Sequence, residues 1–120
     1  MSKKTIWTGV IGLIIVIGLF LANMFMPGPK DAFAQCVADS GATFYGAFWC
    51  PHCKEQKALF GKSASLLPYV ECSTPDGKGV LSVCTDAGVE GYPTWVFKDS
   101  SVLTGVVTLE TLAEKTSCTL

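Results

Sequence analysis

The distribution of apolar residues divides the chain into two unlike parts. From Ile6 to Met26 there are 21 consecutive residues without a charge. As a helix they would span about 30 Å, the thickness of the hydrocarbon core of a bilayer. Beyond this run, apolar residues occur in short groups separated by glycine, proline and polar residues. We therefore predict an N-terminal tail over 1–5, one transmembrane helix over 6–26, a spacer over 27–30 that contains two prolines, and a single domain over 31–120.

Within the domain, helix and strand patterns alternate. The i, i+3, i+4 spacing of Phe33, Cys36 and Val37 predicts a helix over 31–40, ended by Gly41. The uncharged run 42–48 is typical of a central strand covered on both faces. The other predicted elements are a helix over 51–60, a strand over 67–72, a loop over 73–79, a helix over 80–87, a hairpin of strands 94–97 and 102–106, and a final helix marked by Leu109, Leu112 and Ala113. This order indicates the α/β class, with a small mixed sheet flanked by helices.

Charges beside the apolar run predict its orientation. Lys3 and Lys4 precede the run, so the positive-inside rule keeps this end in the cytoplasm and places the domain outside, in an extracytoplasmic compartment. A cleaved signal peptide is the main alternative, because the small-x-small pattern 32–34 precedes Gln35. A lipidated Cys36 is a weaker one, since it lies ten residues beyond the run. All three interpretations export the domain.

Charge and cysteine content narrow the function classes. Residues 27–120 carry seven Lys against ten Asp and Glu, a net charge of −3, and the chain has no Arg. A domain without a basic stripe has no electrostatic footprint for a phosphate backbone, so nucleic-acid binding is excluded. Six cysteines in an exported domain of this size indicate an oxidising compartment and disulfide bonds.

The strongest chemical signal is the C-x-x-C motif formed by Cys50, Pro51, His52 and Cys53, which lies between a buried strand and a helix. Cys50 falls at the helix N-terminus, where unpaired N–H groups and the helix dipole favour a thiolate over a thiol. A protonated His52 would add a second positive charge. Cys53, one helical turn later, is placed to attack a mixed disulfide formed at Cys50. The motif predicts dithiol exchange, with Cys50 as the attacking thiol and no cofactor.

Two segments carry a resemblance to a known family. The run from Phe44 to Lys54 resembles the active-site segment of thioredoxin-fold oxidoreductases, and Gly91–Thr94 resembles the cis-proline loop of that family. With 67–72 included, the chain is most similar to the thioredoxin-like domain fused to bacterial homologues of vitamin K epoxide reductase. The resemblance covers residues 42–117 and implies a thioredoxin-like fold, protein thiol-disulfide oxidoreductase activity and a cis bond before Pro93. It also implies a quinone-reducing membrane partner, which we expect to be a separate protein.

Residues around the motif indicate how substrate is held. Trp49 is expected to present a flat apolar surface beside Cys50. A cis bond between Tyr92 and Pro93 would turn the Tyr92 main chain outward, where it could pair with an extended substrate segment by strand addition.

Two departures from the family pattern indicate the redox direction. The acid that many thioredoxins carry six residues before the first cysteine is replaced by Phe44, which leaves Glu55 as the nearest acid in sequence. The Pro-His dipeptide between the cysteines resembles that of oxidising members. We therefore expect a membrane-anchored oxidant of cysteine-containing exported proteins, reoxidised by a membrane partner such as a vitamin K epoxide reductase homologue. A reductase or isomerase remains an alternative, as does a metal-binding or metallochaperone module.

The other four cysteines allow three pairings once Cys50 pairs with Cys53. We predict Cys72 with Cys84, across the flexible loop, and Cys36 with Cys118, which would join the ends of the domain. A metal site would instead combine Cys50 and Cys53 with His52, Cys72 or Cys84. Structural zinc generally needs a second closely spaced ligand pair, and Cys72 and Cys84 are twelve residues apart, so we predict no metal ligands.

Overall fold

The N-terminal segment is one long helix. The computed structural model describes all residues 1–120 and places helix α1 over Lys3–Phe25, with mean hydropathy 2.4 and no buried residue. Its 23 residues make it about 35 Å long. By length and composition α1 can cross a membrane, a property that signal sequences share. It begins three residues before the apolar run and ends one residue early, because Met26 precedes a proline and is extended.

The domain contains the predicted succession of helices and strands, with shorter elements. They are α2 Asp31–Asp39, β1 Thr43–Gly46, α3 Pro51–Ala58, β2 Tyr69–Glu71, α4 Ser82–Asp86, β3 Thr94–Val96, β4 Val102–Thr104 and α5 Leu109–Thr116. A 3₁₀ helix over Gly61–Leu66 was not predicted. Such a helix is too short to show a hydrophobic period in the sequence.

The strands form one mixed sheet in the order β2-β1-β3-β4. β1 runs parallel to β2 and antiparallel to β3, with Phe44 opposite Tyr69 on one side and Trp95 on the other. β3 and β4 form an antiparallel hairpin. This architecture confirms the predicted thioredoxin-like α/β class. β1 is shorter than its apolar run because the chain turns after it, where the Cys50 N–H donates to the Ala47 carbonyl at 3.0 Å.

Aromatic residues fill the core. Phe44 stacks on Trp95 with ring centroids 4.8 Å apart, and Phe33 of α2 stacks on Phe60 at 5.7 Å. α2 is followed by Ser40 and then by Gly41, whose φ of +87° lies in the left-handed region that favours glycine. Because Phe33 and Ala34 are both buried, a cleavage after Ala34 would remove two residues from this core.

Gln56 is a fully buried polar residue that fixes α3. Its amide nitrogen donates to the Val107 carbonyl at 3.0 Å, and its oxygen accepts from the Val107 N–H at 2.7 Å and from the Trp95 indole at 3.2 Å. Buried polar groups are tolerated when they are fully hydrogen-bonded, as here. The active-site helix is thereby joined to β3 and to the segment that leads into α5.

Two disulfides connect distant parts of the domain. Cys36 in α2 is bonded to Cys118, just beyond α5, and Cys72 is bonded to Cys84 in α4. Cys36 is therefore not a free thiol open to lipidation.

Candidate active site

Cys50 occupies the N-cap position of α3, with Pro51 as the first helical residue. Its sulfur accepts the Cys53 backbone N–H at 3.4 Å, and its thiol faces the Tyr92 carbonyl at 3.8 Å. Such a donor stabilises negative charge on sulfur. Cys50 is 5% exposed and Cys53 is 1% exposed, and both are free thiols. Of the two residues, Cys50 is therefore the more exposed.

Cys53 lies beneath Cys50, inside the domain. Burial, together with the hydrogen bond to Cys50, raises the pKa of the Cys53 thiol, and the Lys57 ammonium opposes this in part. Cys53 is therefore protonated at neutral pH. Any reaction in which it attacks or leaves as a thiolate must also move a proton.

The loop before β3 borders the Cys50 sulfur. The Tyr92–Pro93 bond is cis, and Pro93 is buried. The Tyr92 N–H makes no hydrogen bond within the chain, and its carbonyl meets only the Cys50 thiol. The Tyr92 N–H is thus unpaired within the chain, and the Tyr92 carbonyl lies beside the Cys50 sulfur.

Trp49 forms an apolar wall next to Cys50. Its indole N–H donates to Ser73 Oγ at 2.9 Å, and its ring meets the Tyr92 ring edge-on with centroids 6.0 Å apart. The side chain remains half exposed, as does that of the neighbouring Phe48, which the sequence analysis did not single out. Together these rings form an exposed apolar surface beside Cys50.

His52 does not contact Cys50. Its Nδ1 lies 3.3 Å from the Glu55 carboxylate, and the two side chains are 71% and 62% exposed. The motif predicted that the positive charge of His52 acts on Cys50, whereas the structure pairs His52 with Glu55 at the surface. The i, i+3 spacing of the two residues on one helix is the signal that would have paired them.

We expect the replacement His52→Ala to lower the rate of Cys50 alkylation at about pH 6 by no more than about fivefold, because an exposed charge pair is weak. Glu55→Gln should change the rate in the opposite direction, since it removes the neutralising carboxylate. Iodoacetamide labelling of the reduced protein measures both effects. Glu110→Gln, on exposed α5, is the matched control, and equal rates in all four proteins would show that His52 has no influence.

Tyr69 and Glu71 form a second polar group at the site, which the sequence analysis missed. One Glu71 oxygen accepts the Phe48 N–H at 2.8 Å, while the other accepts the Tyr69 hydroxyl at 3.0 Å and the Cys72 N–H at 3.1 Å. Residues two apart in a strand share a face. The spacing of Tyr69 and Glu71, two apart in a strand that pairs with β1, is the sequence signal that could have predicted this pair.

The metal-site alternative loses two of the ligands it invokes, because Cys72 and Cys84 are bonded to each other. No group of three or more His, Cys, Asp or Glu side chains is arranged to hold a metal ion. What the geometry provides is a pair of buried free thiols one helical turn apart, with Cys50 slightly more exposed than Cys53.

Comparison with known sequences agrees with this geometry. The Thioredoxin family profile matches residues 28–117, three quarters of the chain. The chain belongs to the thioredoxin family. It is 50% identical over 94 residues to Thiol-disulfide oxidoreductase LTO1 of Arabidopsis thaliana. This match covers 74% of this chain and 24% of LTO1. It is also 34% identical over 76 residues to Thioredoxin domain-containing protein 5 homolog of Drosophila melanogaster. This match covers 54% of this chain and 17% of that protein.

This thioredoxin-family chain spans about a quarter or less of the length of these two relatives. Its similarity to LTO1 and the presence of the Cys50–Cys53 pair agree with the predicted enzyme class, a thiol-disulfide oxidoreductase.

Proposed function

We propose that residues 6–26 anchor this oxidoreductase in a membrane, with 1–5 in the cytoplasm and, after the spacer 27–30, the domain 31–120 on the extracytoplasmic side. There it oxidises cysteine pairs in exported proteins. The observation that carries the proposal is the Cys50 sulfur at the start of α3, which accepts the Cys53 N–H at 3.4 Å. A stabilised Cys50 thiolate favours the reduced enzyme, and an enzyme whose reduced form is favoured is an oxidant.

The reaction has two exchange steps. A substrate thiolate attacks Cys50 in the Cys50–Cys53 disulfide, a mixed disulfide forms at Cys50, and Cys53 leaves with the electron pair of the broken bond. The second substrate thiolate then attacks the substrate sulfur of the mixed disulfide and releases Cys50 as a thiolate. The substrate gains a disulfide, and two electrons remain on the enzyme dithiol.

Substrate would be held mainly through its backbone. The open N–H and carbonyl of Tyr92 lie beside Cys50, and Pro93 has no N–H with which to extend the sheet over them. An extended substrate segment can therefore add alongside, while the Trp49 and Tyr92 rings supply apolar contact. Because main-chain hydrogen bonds do not depend on side chains, many different proteins would be accepted.

The enzyme must pass its two electrons on, and the anchor suggests where. The Lys62 ammonium donates to the Asn23 carbonyl at 2.6 Å, so the domain contacts the end of α1. A domain held this close to the membrane can meet a partner embedded in it. We infer that this partner is a quinone-linked membrane protein of the vitamin K epoxide reductase type. A cleaved leader is disfavoured because Phe33 and Ala34, before the candidate cut, are buried in the core.

The experiment is a redox equilibration of the full chain in detergent against glutathione, followed by trapping of free thiols. We expect the Cys50–Cys53 couple to have a potential above about −200 mV, on the oxidising side of the glutaredoxins and thioredoxin. A potential below that value would overturn the oxidant assignment in favour of the reductase alternative. The Cys50→Ser variant is the control, because its two remaining disulfides should not titrate in this range.

A further inference from the structure

The buried sulfur of Cys53 shares a small space with a tyrosine hydroxyl. A Cβ atom placed on Gly46 would lie 3.0 Å from Cys53 Sγ, 2.8 Å from Tyr69 Cε2 and 3.4 Å from the Tyr69 hydroxyl oxygen. The sulfur and the hydroxyl oxygen are therefore no more than 6.4 Å apart, the sum of the two distances from that point. The two atoms make no direct hydrogen bond, and a gap of this size is within reach of one bridging water. The absence of a side chain at Gly46 allows the approach.

The chemistry requires a proton to move at this sulfur. Even an ordinary cysteine is only a few per cent ionised at pH 7, and burial raises the pKa of Cys53 further. The thiolate is the species that attacks, and it is also the species released when the disulfide opens. Phe44, where many thioredoxins have an acid, offers no proton acceptor, and Glu55 is engaged with exposed His52.

Tyr69 is oriented to serve as that acceptor. Its hydroxyl donates to Glu71 Oε2 at 3.0 Å, which leaves its oxygen lone pairs free for another donor. Glu71 is itself held by the N–H groups of Phe48 and Cys72. The Lys57 ammonium lies 3.7 Å from the centre of the Tyr69 ring, where its positive charge stabilises negative charge that develops on the phenol.

We propose that Tyr69 carries the proton of Cys53 during disulfide exchange and that Glu71 is the positioning residue that orients Tyr69 and completes the transfer. When Cys53 attacks the mixed disulfide, its sulfur bonds to the Cys50 sulfur and the substrate sulfur leaves with the electron pair. The Cys53 proton passes to the Tyr69 oxygen as the Tyr69 proton passes to Glu71. In the oxidising direction every transfer runs in reverse, and Cys53 leaves as a thiol.

The inference rests on exchange at Cys50 and Cys53, but it does not depend on the redox direction, because the same groups serve both directions. The titratable groups that face Cys53 come from three elements of the fold. They are Cys50 and Lys57 of the α3 segment, Tyr69 of β2, and Tyr92 of the loop before β3. Of these, the Tyr69 hydroxyl lies within 6.4 Å of the Cys53 sulfur and is hydrogen-bonded to a carboxylate, that of Glu71.

The test uses the reduced full chain in detergent and a peptide disulfide that carries a fluorophore and a quencher, so that capture by Cys50 and release by Cys53 are separate kinetic phases. Tyr69→Phe keeps the ring and its edge-on contact with Phe44. We expect release to slow by about 10- to 100-fold, with capture unchanged. The release rate should become first order in hydroxide across the pH range, since only solvent can then take the proton. Glu71→Gln, which can accept the Tyr69 hydrogen bond but not the proton, should slow release to a similar extent, because Tyr69 then has no group to which it can pass its own proton.

Tyr45→Phe is the matched control, because Tyr45 points to the opposite face of β1 and should behave as the unmodified protein. Unchanged release and an unchanged pH profile in Tyr69→Phe would overturn the inference. Equal slowing of capture and release would overturn it as well, since that would indicate a packing role. Neither result affects the proposed function, which fails instead if the unmodified protein shows no capture at Cys50 or a potential on the reducing side.

Discussion

Replacing Cys50 with serine is expected to abolish thiol-disulfide exchange completely, whereas Cys53→Ser should leave capture intact and trap substrate. Cys50 is the sulfur beside the open Tyr92 main chain, and it accepts the Cys53 N–H that stabilises its thiolate. A serine hydroxyl is not ionised at neutral pH and cannot form a disulfide. Cys53 is 1% exposed and meets substrate only through Cys50.

Insulin reduction and non-reducing electrophoresis with a cysteine-containing peptide measure the two effects. Each serine variant is the matched control for the other, because both remove one sulfur from the same turn of α3. Circular dichroism should show both to be folded. Mixed disulfides that accumulate in Cys50→Ser, and not in Cys53→Ser, would show that Cys53 is the attacking thiol and Cys50 the resolving one.

The second large effect is on stability. Replacing both Cys36 and Cys118 with serine should lower the free energy of unfolding by up to about 4.5 kcal/mol in the chain-entropy account of disulfides. These residues are 82 apart in sequence, so their bond restricts most of the unfolded domain. Small domains are generally stable by about 5–15 kcal/mol, and the loss would therefore be a large part of the total.

Urea unfolding of the full chain in detergent, monitored by tryptophan fluorescence, measures this loss in the free energy of unfolding. The double replacement of Cys72 and Cys84 is the control, because these residues are 12 apart and the same account gives about 3 kcal/mol. The larger loss should therefore come from the longer loop. A smaller loss for Cys36 and Cys118 than for Cys72 and Cys84 would contradict this explanation.

The fold class could be predicted because its signals are local. The apolar run of α1, the uncharged strand β1 and the proline and cysteine at the start of α3 each appear within a few neighbouring residues. Boundaries were less accurate where tertiary structure decides them. β1 ends at Gly46 although the apolar residues continue, because the turn that places Cys50 begins there.

The polar partners of the site could not be predicted in the same way, because they depend on contacts between distant residues. Gln56 looks like an ordinary polar helix residue, but its partner Val107 lies 51 positions later. Glu71 bonds to Phe48 only because β2 pairs with β1 in one register, with Gly46 opposite Glu71. The absence of an acid at Phe44 could be read from the sequence. The position of Tyr69 and Glu71 close to Phe44 could not.

The bond between Cys36 and Cys118 also determines how the domain carries mechanical load. Cys118 is two residues from Leu120, and Cys36 lies in the first helix after the spacer. A pull on the C-terminus against the membrane anchor would pass through this bond directly to α2. The sheet, α3 and the reactive thiols lie inside the closed loop and bear none of that tension. A load applied to the C-terminus would therefore leave the active site unextended, whereas a load applied through a substrate joined to Cys50 would enter inside the loop.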